Sequence, residues 1–382
     1  SLSQSIADGS TLYLWLTVDA QTGATIGKTF EVVAPSVTTD FGTVEAPVNF
    51  TGTPAGGNSL PVLEPLFYSQ GNDEFRGSNA LWNTDPTGTG SDITADMINS
   101  GLASFIIQPS HTITLNSSDL SMQKLTIEGS MNSLADSLTV NDSTIIEAGG
   151  TFQDDEATGT NRFLGTVLNN GDFTIAGAPA VYFGSDIINN NSFDVTGANL
   201  INFTNSAKIK GTGTNTEFSD VSIAAADTLL NTHSNPIAVS SIQGDDNTAV
   251  FQNNGSIIVS GGGAPFMSTG TFATGTMLGQ SSLDNIVIYN DTIQTVTALS
   301  YGNLVIDQAG TKTLAGDIST TEKLTISNDA ELATNNHNIT LEGDWDQRAG
   351  TTFTAGTSNV TFTGTGTPQQ LIKNGTGNFY DL

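Results

Sequence analysis

The sequence predicts an all-β chain whose larger part is a right-handed parallel β-helix, a β-solenoid with coils of about twenty residues. Residues 168–187 and 188–207 align without a gap, so that Phe173 meets Phe193 and Phe183 meets Phe203. Short apolar-x-apolar units also recur from residue 106 onward, at spacings that cluster near one coil length and without helical patterns between them. One such coil cannot bury its apolar row, but a stack of coils can.

Residues 1–65 follow a different pattern, which predicts a partial immunoglobulin-like β-sandwich and a linker. The run LYLWLTV at 12–18 alternates strictly, and further short strands are predicted at 28–33 and 47–52. Such a sandwich needs about seven strands. We therefore expect either an incomplete domain or additional strands upstream, and we interpret 53–65 as the linker.

Residues 66–105 are less regular and are predicted to cap the first coil, leaving 106–382 as the solenoid repeats. Within the cap, 92–105 is the best candidate for a helix, because Ile93, Met97 and Leu102 would lie roughly on one side. An array of β-sandwiches is the competing architecture, but its repeats would be about 90 to 100 residues long.

Composition restricts the possible partners. The chain has 38 acidic and 10 basic residues and a formal net charge of -28, which disfavours nucleic acid and anionic membranes as partners. No apolar run approaches the roughly 18 residues of a transmembrane helix, so membrane insertion is not predicted. The chain has no cysteine, which excludes thiolate catalysis and cysteine metal sites. Solubility alone would explain the acidic charge, although the charge would also attract divalent cations.

Two acidic clusters are the only candidates for a metal site. Asp154 and Asp155 precede Glu156, and Asp245 is followed by Asp246. Paired carboxylates can bind Ca²⁺, yet neither cluster matches a known calcium loop, and solvated turns are the competing interpretation. No catalytic residue is predicted, because no basic residues cluster with these carboxylates, and Ca²⁺ is the only cofactor considered. The three histidines, His111, His233 and His337, share no metal-ligand spacing. His111 and His337 each stand just before a predicted strand, in analogous positions, and are interpreted as turn residues.

Three segments resemble a family of very large surface proteins of Bacteroidota. Residues 2–32, LSQSIADGSTLYLWLTVDAQTGATIGKTFEV, resemble the second half of a β-sandwich that these proteins repeat. The motifs FYSQGN, LWNTDPTG and IIQPSHTITLNSS resemble the segment that opens their solenoid regions. Ser110 stands there where Gly is usual, and 82–86 carries one extra residue. Residues 324–382 resemble the recurrent coil unit most closely.

The resemblance implies a non-catalytic segment of a giant adhesin-like filament at the cell surface. Such proteins are exported by the type IX secretion system, attach through outer-membrane components, and some act in gliding motility. The sorting domain expected at the C-terminus is not in the sequence, so we expect a fragment whose ligand is a surface polysaccharide, a host or a substratum. Bacteria of this group O-glycosylate Asp-Ser/Thr-aliphatic tripeptides, which makes candidate sites of Ser137, Ser143, Thr228 and Thr292.

Two other functions are open at this point. A secreted polysaccharide-binding or polysaccharide-cleaving β-helix would be favoured by exposed aromatic rows or a carboxylate cluster on one face. The sequence offers Tyr182, Tyr289 and Tyr301, but these do not form a regular ladder. A trimerising fibre of the phage or toxin type should carry a trimerising terminal domain, which is not visible in the sequence.

Overall fold

The structure is a computed structural model, and it divides the chain into two compact units, Ser1–Pro65 and Leu66–Leu382. In the first unit, Thr29–Phe30 pairs antiparallel with Leu60–Pro61. The predicted immunoglobulin-like sandwich, with its strands at 12–18 and 47–52, lies outside the described residues. The structure describes residues 29–30, 60–61, 65–116, 119–134, 137–246, 248–266, 286–365 and 368–381.

The second unit is a parallel β-solenoid, which confirms the predicted all-β class and repeat architecture. The gapless alignment of residues 168–187 with 188–207 is the register between neighbouring coils. Leu168 pairs with Ile188, and Phe173 pairs with Phe193. Each coil contributes strands to three faces, because apolar and polar residues alternate along short strands and Gly, Asn or Asp residues turn the chain between them.

Face 1 is a sheet of short parallel strands, to which Trp82–Asn83 adds an antiparallel strand at the outer edge. Several of its strands have three residues, and only the middle residue points outward. The parallel strands of face 1 are Leu66–Ser69, Ser104–Ile107, Leu125–Ile127, Thr144–Ile146, Val167–Asn169, Ile187–Asn189, Ala207–Gly211, Thr228–Asn231 and Val250–Asn253.

Face 2 follows face 1 in the coils up to Val250–Asn253, and it continues through the later coils, where face 1 has no strand. Four long strands bend at a corner and belong to two faces. Asn215–Ile223 and Ile237–Gly244 run from face 2 into face 3, whereas Ser300–Ile306 and Ile318–Ile326 end on face 2. The remaining strands of face 2 are Asp73–Glu74, Thr112–Leu115, Ser130–Ser133, Thr151–Asp154, Asp172–Ile175, Ser192–Val195, Ser256–Val259, Ile286–Tyr289, Asp344–Gln347 and Leu371–Lys373.

Face 3 closes each coil. In the earlier coils it consists of Leu120–Met122, Ser137–Val140, Thr160–Phe163, Ala180–Phe183 and Leu200–Phe203. In the later coils a separate four-stranded sheet follows face 2: Ile293–Val296, Gly310–Leu314, Ala330–Ala333 and Thr352–Thr354. In the last two coils one more strand lies between this sheet and the next strand of face 2. These strands are Ile339–Leu341 and Val360–Phe362, and they pair with each other.

An aromatic cluster covers the first coil. Phe75, Trp82 and Phe105 lie within 4.7 to 4.8 Å of one another, measured between ring centroids. The helix predicted over 92–105 is wrong in extent: the α-helix is Ala95–Asn99, and the 3₁₀ helix is Asn79–Leu81. The α-helix ends early because Gly101 takes a φ of 72° and the following residues, Ser104–Ile107, join face 1.

Phenylalanine rings stack through the middle of the solenoid. Phe173 lies 4.8 Å from Phe152 and 4.6 Å from Phe193, with interplanar angles of 28° and 17°. On the neighbouring face, Phe163 stacks on Phe183 at 5.6 Å. Because these residues occupy paired positions of successive coils, each ring is packed by the coils above and below it.

Buried asparagines form a second column, at the last position of face 1 strands. Asn169, Asn189, Asn231 and Asn253 are fully buried. Asn169 Nδ2 donates to Asn189 Oδ1 over 2.8 Å, and Asn231 Nδ2 donates to Asn253 Oδ1 over 2.7 Å. These asparagines are therefore buried residues of the strands, linked in pairs across neighbouring coils, and not residues of the exposed turns.

Gly211 interrupts this column. It pairs with Asn189, and a Cβ atom at this position would collide with the backbone oxygen of Asn189. The imidazole of His233 lies beside the gap, with Nε2 3.2 Å from the same backbone oxygen and Nδ1 2.9 Å from the oxygen of Asn235. The asparagine column therefore consists of two pairs, with a glycine and a buried histidine between them.

Candidate functional site

The outer surface of face 2 is predominantly polar in the earlier coils. Hydroxyl, amide and carboxylate groups follow one another at the coil spacing of about 4.8 Å. Thr151 Oγ1 donates to Ser130 Oγ over 2.8 Å, and Asn191 Nδ2 donates to Asp172 Oδ1 over 3.1 Å. The two outward columns are Thr112, Ser130, Thr151, Asp172, Ser192 and Asn215, and Thr114, Asn132, Gln153, Thr174, Asp194 and Glu217.

The outer surface of face 1 is different, because it carries one column of mainly apolar residues. These side chains are half-buried, as outward residues of this solenoid generally are, and they occupy paired positions of successive strands. We call this column the face 1 stripe: Tyr68, Ile106, Thr126, Ile145, Leu168 and Ile188.

The interpretation of Asp154 as a residue of a solvated turn is wrong, because Asp154 is the last residue of the strand Thr151–Asp154. It is 1% exposed, and its carboxylate accepts hydrogen bonds from Asn161 Nδ2 and from the backbone N–H of Glu156, the latter over 2.9 Å. Burial raises the pKa of this carboxyl. The neighbouring Asp155 is exposed and accepts a bond of 2.6 Å from Gln153 Nε2. The two carboxylates thus have separate protein partners.

The second acidic pair lies at a turn. Asp245 is exposed and accepts a hydrogen bond of 2.8 Å from Ser222 Oγ. Asp246 accepts from both the hydroxyl and the backbone N–H of Thr248, over 2.6 and 2.8 Å, and these bonds lower its pKa. Across the part of the chain that the structure describes, no three histidine or acidic residues are grouped so that they could hold a metal ion.

The four hydroxyls predicted as O-glycosylation sites differ in accessibility. Thr292 is exposed at a turn, where its hydroxyl lies 3.3 Å from Asp291 Oδ1. Ser137, Ser143 and Thr228 are half-buried. Thr292 is therefore the most accessible acceptor of the four.

Two of the three tyrosines considered for a sugar-binding surface are inside the core. The hydroxyls of Tyr289 and Tyr301 are 2.9 Å apart, and Tyr301 also donates to the backbone oxygen of Thr297 over 2.6 Å. Burial raises the pKa of both phenols. Tyr182 points outward and has the guanidinium of Arg162 4.8 Å from its ring centroid.

The histidines take separate roles. His111 Nδ1 lies 2.8 Å from Ser69 Oγ, and His337 Nδ1 lies 3.8 Å from Asp317 Oδ1 at the surface. His233 is 2% exposed and lies in the connection between Thr228–Asn231 and Ile237–Gly244.

One lysine lies inside the core, although no sequence pattern singled it out. Lys312 is fully buried, and its ammonium group donates to the backbone oxygen of Gln308. Burial lowers its pKa. The alternation of inward and outward residues along Gly310–Leu314 is the signal that could have identified this lysine, since Thr311 and Thr313 on either side of it point outward.

Comparison of the chain with protein-family models, with curated proteins and with solved structures returns no match. Among the described residues, no helix has the length and apolar character needed to cross a membrane.

Proposed function

We propose that the chain is a segment of a giant cell-surface adhesin or filament, in which the solenoid is a stiff, acidic and non-catalytic spacer. The observation that carries this proposal is the continuous stack of paired side chains, such as Phe152, Phe173 and Phe193, through successive coils. Bending such a stack would open a close-packed core and stretch the ladders between coils, so the stack resists bending. A stiff spacer is what a filament needs to hold a binding region away from the cell.

Under this proposal the chain is extracellular. It is exported by the type IX secretion system, held by outer-membrane attachment components, and used for adhesion, surface attachment or gliding on a polysaccharide, a host or a substratum. The resemblance of residues 324–382 to a coil unit of Bacteroidota surface proteins supports this setting. The net charge of -28 also supports it, since strong like charge keeps a long exposed protein hydrated. In this setting Thr292 is the first hydroxyl to examine for an O-glycan by glycopeptide mapping.

Immunogold electron microscopy of intact producing cells tests the proposal. Antibodies raised against residues 66–382 should label thin filaments on wild-type cells and nothing on a deletion strain. The deletion strain should also adhere or glide less, and the gene supplied in trans should restore both properties. Label found only in the culture medium, on short compact particles, together with unchanged adhesion, would contradict the proposal.

The alternative is a secreted polysaccharide-binding or polysaccharide-cleaving β-helix protein. The observation that favours it is the polar surface of face 2, where Asp172 and Asp194 stand among hydroxyl and amide groups. A glycan array and a reducing-end assay on the purified protein separate the two functions. Saturable binding or cleavage of one glycan, lost in Asp172→Ala and Asp194→Ala but kept in the distant Asp245→Ala, would favour the alternative.

A further inference from the structure

The side of the later coils between face 3 and face 2 carries two columns of short polar side chains. Its strands are in register, so that Ser300 lies beside Ser319 of the next coil. We call the first set the hydroxyl column: Ser300, Ser319, Thr340 and Thr361. The second set stands just before it along the chain, and we call it the Asp–Asn column: Asp317, Asn338 and Asn359. Both columns advance by the coil step of about 4.8 Å.

The Asp–Asn column is held in place by the backbone and still has free hydrogen-bonding atoms. Asp317 Oδ1 accepts from the backbone N–H of Asn338 over 2.7 Å, and Asn338 Oδ1 accepts from that of Asn359 over 3.0 Å. Among the residues that the structure describes, Asp317 Oδ2 and Asn338 Nδ2 have no such partner, and both residues are exposed. These coils therefore present fixed polar groups to a ligand, an acceptor at Asp317 and a donor at Asn338.

An open groove of about 410 Å³ lies where the two columns begin. It is open because small residues meet there, and Ala298 stands at the first position of the Asp–Asn column, where it adds no polar side chain. Gly316 lies beside it, and an added Cβ atom there would be 2.8 Å from the Cβ of Ala298. Ser300, Ser319 and Asp317 line the same groove. Its volume is in the range of roughly 300–1,000 Å³ that is usual for sites of small ligands.

The chemistry of these groups indicates the class of ligand. Hydroxyl, carboxylate and carboxamide groups donate to and accept from the hydroxyl groups of sugars. The net charge of -28, with the exposed carboxylates of Asp317 and Glu342 on this side, disfavours an acidic polysaccharide. An extended peptide is a poorer match, because it would need the unpaired edge of a sheet, whereas these columns lie on the outer surface of paired strands.

We propose that the hydroxyl column and the Asp–Asn column bind a neutral, extended polysaccharide, which lies along the solenoid axis and begins in the groove. The rise of one residue in an extended, equatorially linked sugar chain is close to the coil step, so successive sugar residues meet successive coils. Asp317 Oδ2 accepts from a sugar hydroxyl, and Asn338 Nδ2 donates to a sugar oxygen. This inference deepens the proposed function and rests on it for the setting, in which the filament contacts a surface polysaccharide.

Binding at such an open surface should be weak. A few hydrogen bonds, each in competition with water, correspond to a Kd of roughly 0.1–1 mM for a short oligosaccharide. Many chains at one cell surface would nevertheless attach firmly, because each further contact forms at a high effective concentration.

Isothermal titration calorimetry of the full chain tests the site. The probes are the neutral cellohexaose, chitohexaose and mannohexaose, with the acidic hexagalacturonate for comparison. The wild type should bind at least one neutral probe and not the acidic one, and the double variant D317N/T340V should bind at least about tenfold more weakly. Both replacements suit the fold, since asparagine at 317 still accepts the backbone N–H of Asn338 and valine is favoured in strands. Circular dichroism checks that the variant is folded.

The matched control is D194N/T174V, which makes the same two exchanges on neighbouring strands of face 2. Asp194 also holds a backbone N–H, that of Thr196 over 3.0 Å, so the two variants change the same kind of bond. The control should bind like the wild type. No binding of any neutral probe at roughly 5 mM, or an equal loss in both variants, would overturn the proposed site. Immunogold labelling of filaments on cells does not depend on this site, so the proposed function and the site can fail separately.

A series of chain lengths tests the orientation along the axis. Because the hydroxyl column has four members, the affinity should rise from the disaccharide to the tetrasaccharide and then level off. Thr361→Val, at the far end of the column, should weaken binding of the hexasaccharide and leave binding of the disaccharide unchanged. Equal affinities for the disaccharide and the hexasaccharide would contradict the lengthwise arrangement.

Discussion

The replacement Asn189→Ala should destabilise the solenoid strongly, although it removes only a few atoms. Asn189 Nδ2 donates to Thr216 Oγ1 and to the backbone oxygen of Asn215, both over 2.8 Å, and Oδ1 accepts from Asn169 Nδ2 over 2.8 Å. Alanine would leave these partners buried and short of a bond. Asn169 keeps a second bond of 2.6 Å to the oxygen of Ser192, so its loss is partial. We expect the free energy of unfolding to fall by about 3–5 kcal/mol.

The neighbouring Asn190 provides a matched control. It is exposed, and its amide donates to Asn170 Oδ1 over 2.9 Å at the surface. Asn190→Ala should therefore change the free energy of unfolding by no more than about 0.5 kcal/mol. Urea unfolding of the full chain measures both variants, and hydrogen exchange should show lost protection around Ile187–Asn189 and Ser192–Val195, because coils bond only to their neighbours.

A difference of less than about 1 kcal/mol between Asn189→Ala and Asn190→Ala would refute this reasoning. It would mean that water or a shift of the chain replaces the buried amide at little cost. Loss of protection spread evenly over the described coils, rather than concentrated near residue 189, would refute the claim that the asparagine pair acts locally.

Three further perturbations give definite expectations. Gly165→Ala should lower the free energy of unfolding by about 2–3 kcal/mol in the same urea assay, because the added Cβ would collide with the backbone oxygen of Asp142; a neutral result would mean that this corner of the chain gives way. Burial raises the pKa of Asp154 above its ordinary value of 3.8, so the folded state binds the proton more tightly than the unfolded state. Its contribution to stability should therefore be present at low pH and lost as the pH rises through the folded pKa, and Asp154→Asn should remove this pH dependence in an unfolding series from about pH 3 to 7. Removing divalent cations with EDTA should leave the melting temperature unchanged, since Asp245 and Asp246 are engaged with protein donors; a lower melting temperature would revive the calcium hypothesis.

The repeat alignment predicted the strand register because side chains on parallel strands stack on their equivalents one coil away. Phe173 over Phe193 and Phe183 over Phe203 needed nothing more than a constant coil length. Where the coil length changes, the prediction loses its basis. On Ala207–Gly211, Ile209 pairs with Ile187 on one side and with Asn231 on the other, a two-residue shift that no local pattern announces.

Polar residues in the core were the other limit of sequence reasoning. Asparagine and aspartate are common in turns, so residue type alone does not place Asn189 or Asp154 in the core, and only the three-dimensional pairing shows that they are buried with their partners. The face 1 stripe was equally hard to identify, since an apolar residue in the middle of a three-residue strand looks like part of the core. Only the burial of the residues on both sides of Leu168 shows that it points outward.

The equivalence of residues 168–187 and 188–207 also has a consequence for the gene. Coding segments for such similar units can misalign and recombine, and each event would add or remove one whole coil. A gain or loss of one whole coil keeps every inward residue inward, because the added coil repeats the alternation of the coil that it copies. The length of the solenoid can therefore vary between related strains in steps of about 4.8 Å without loss of the fold.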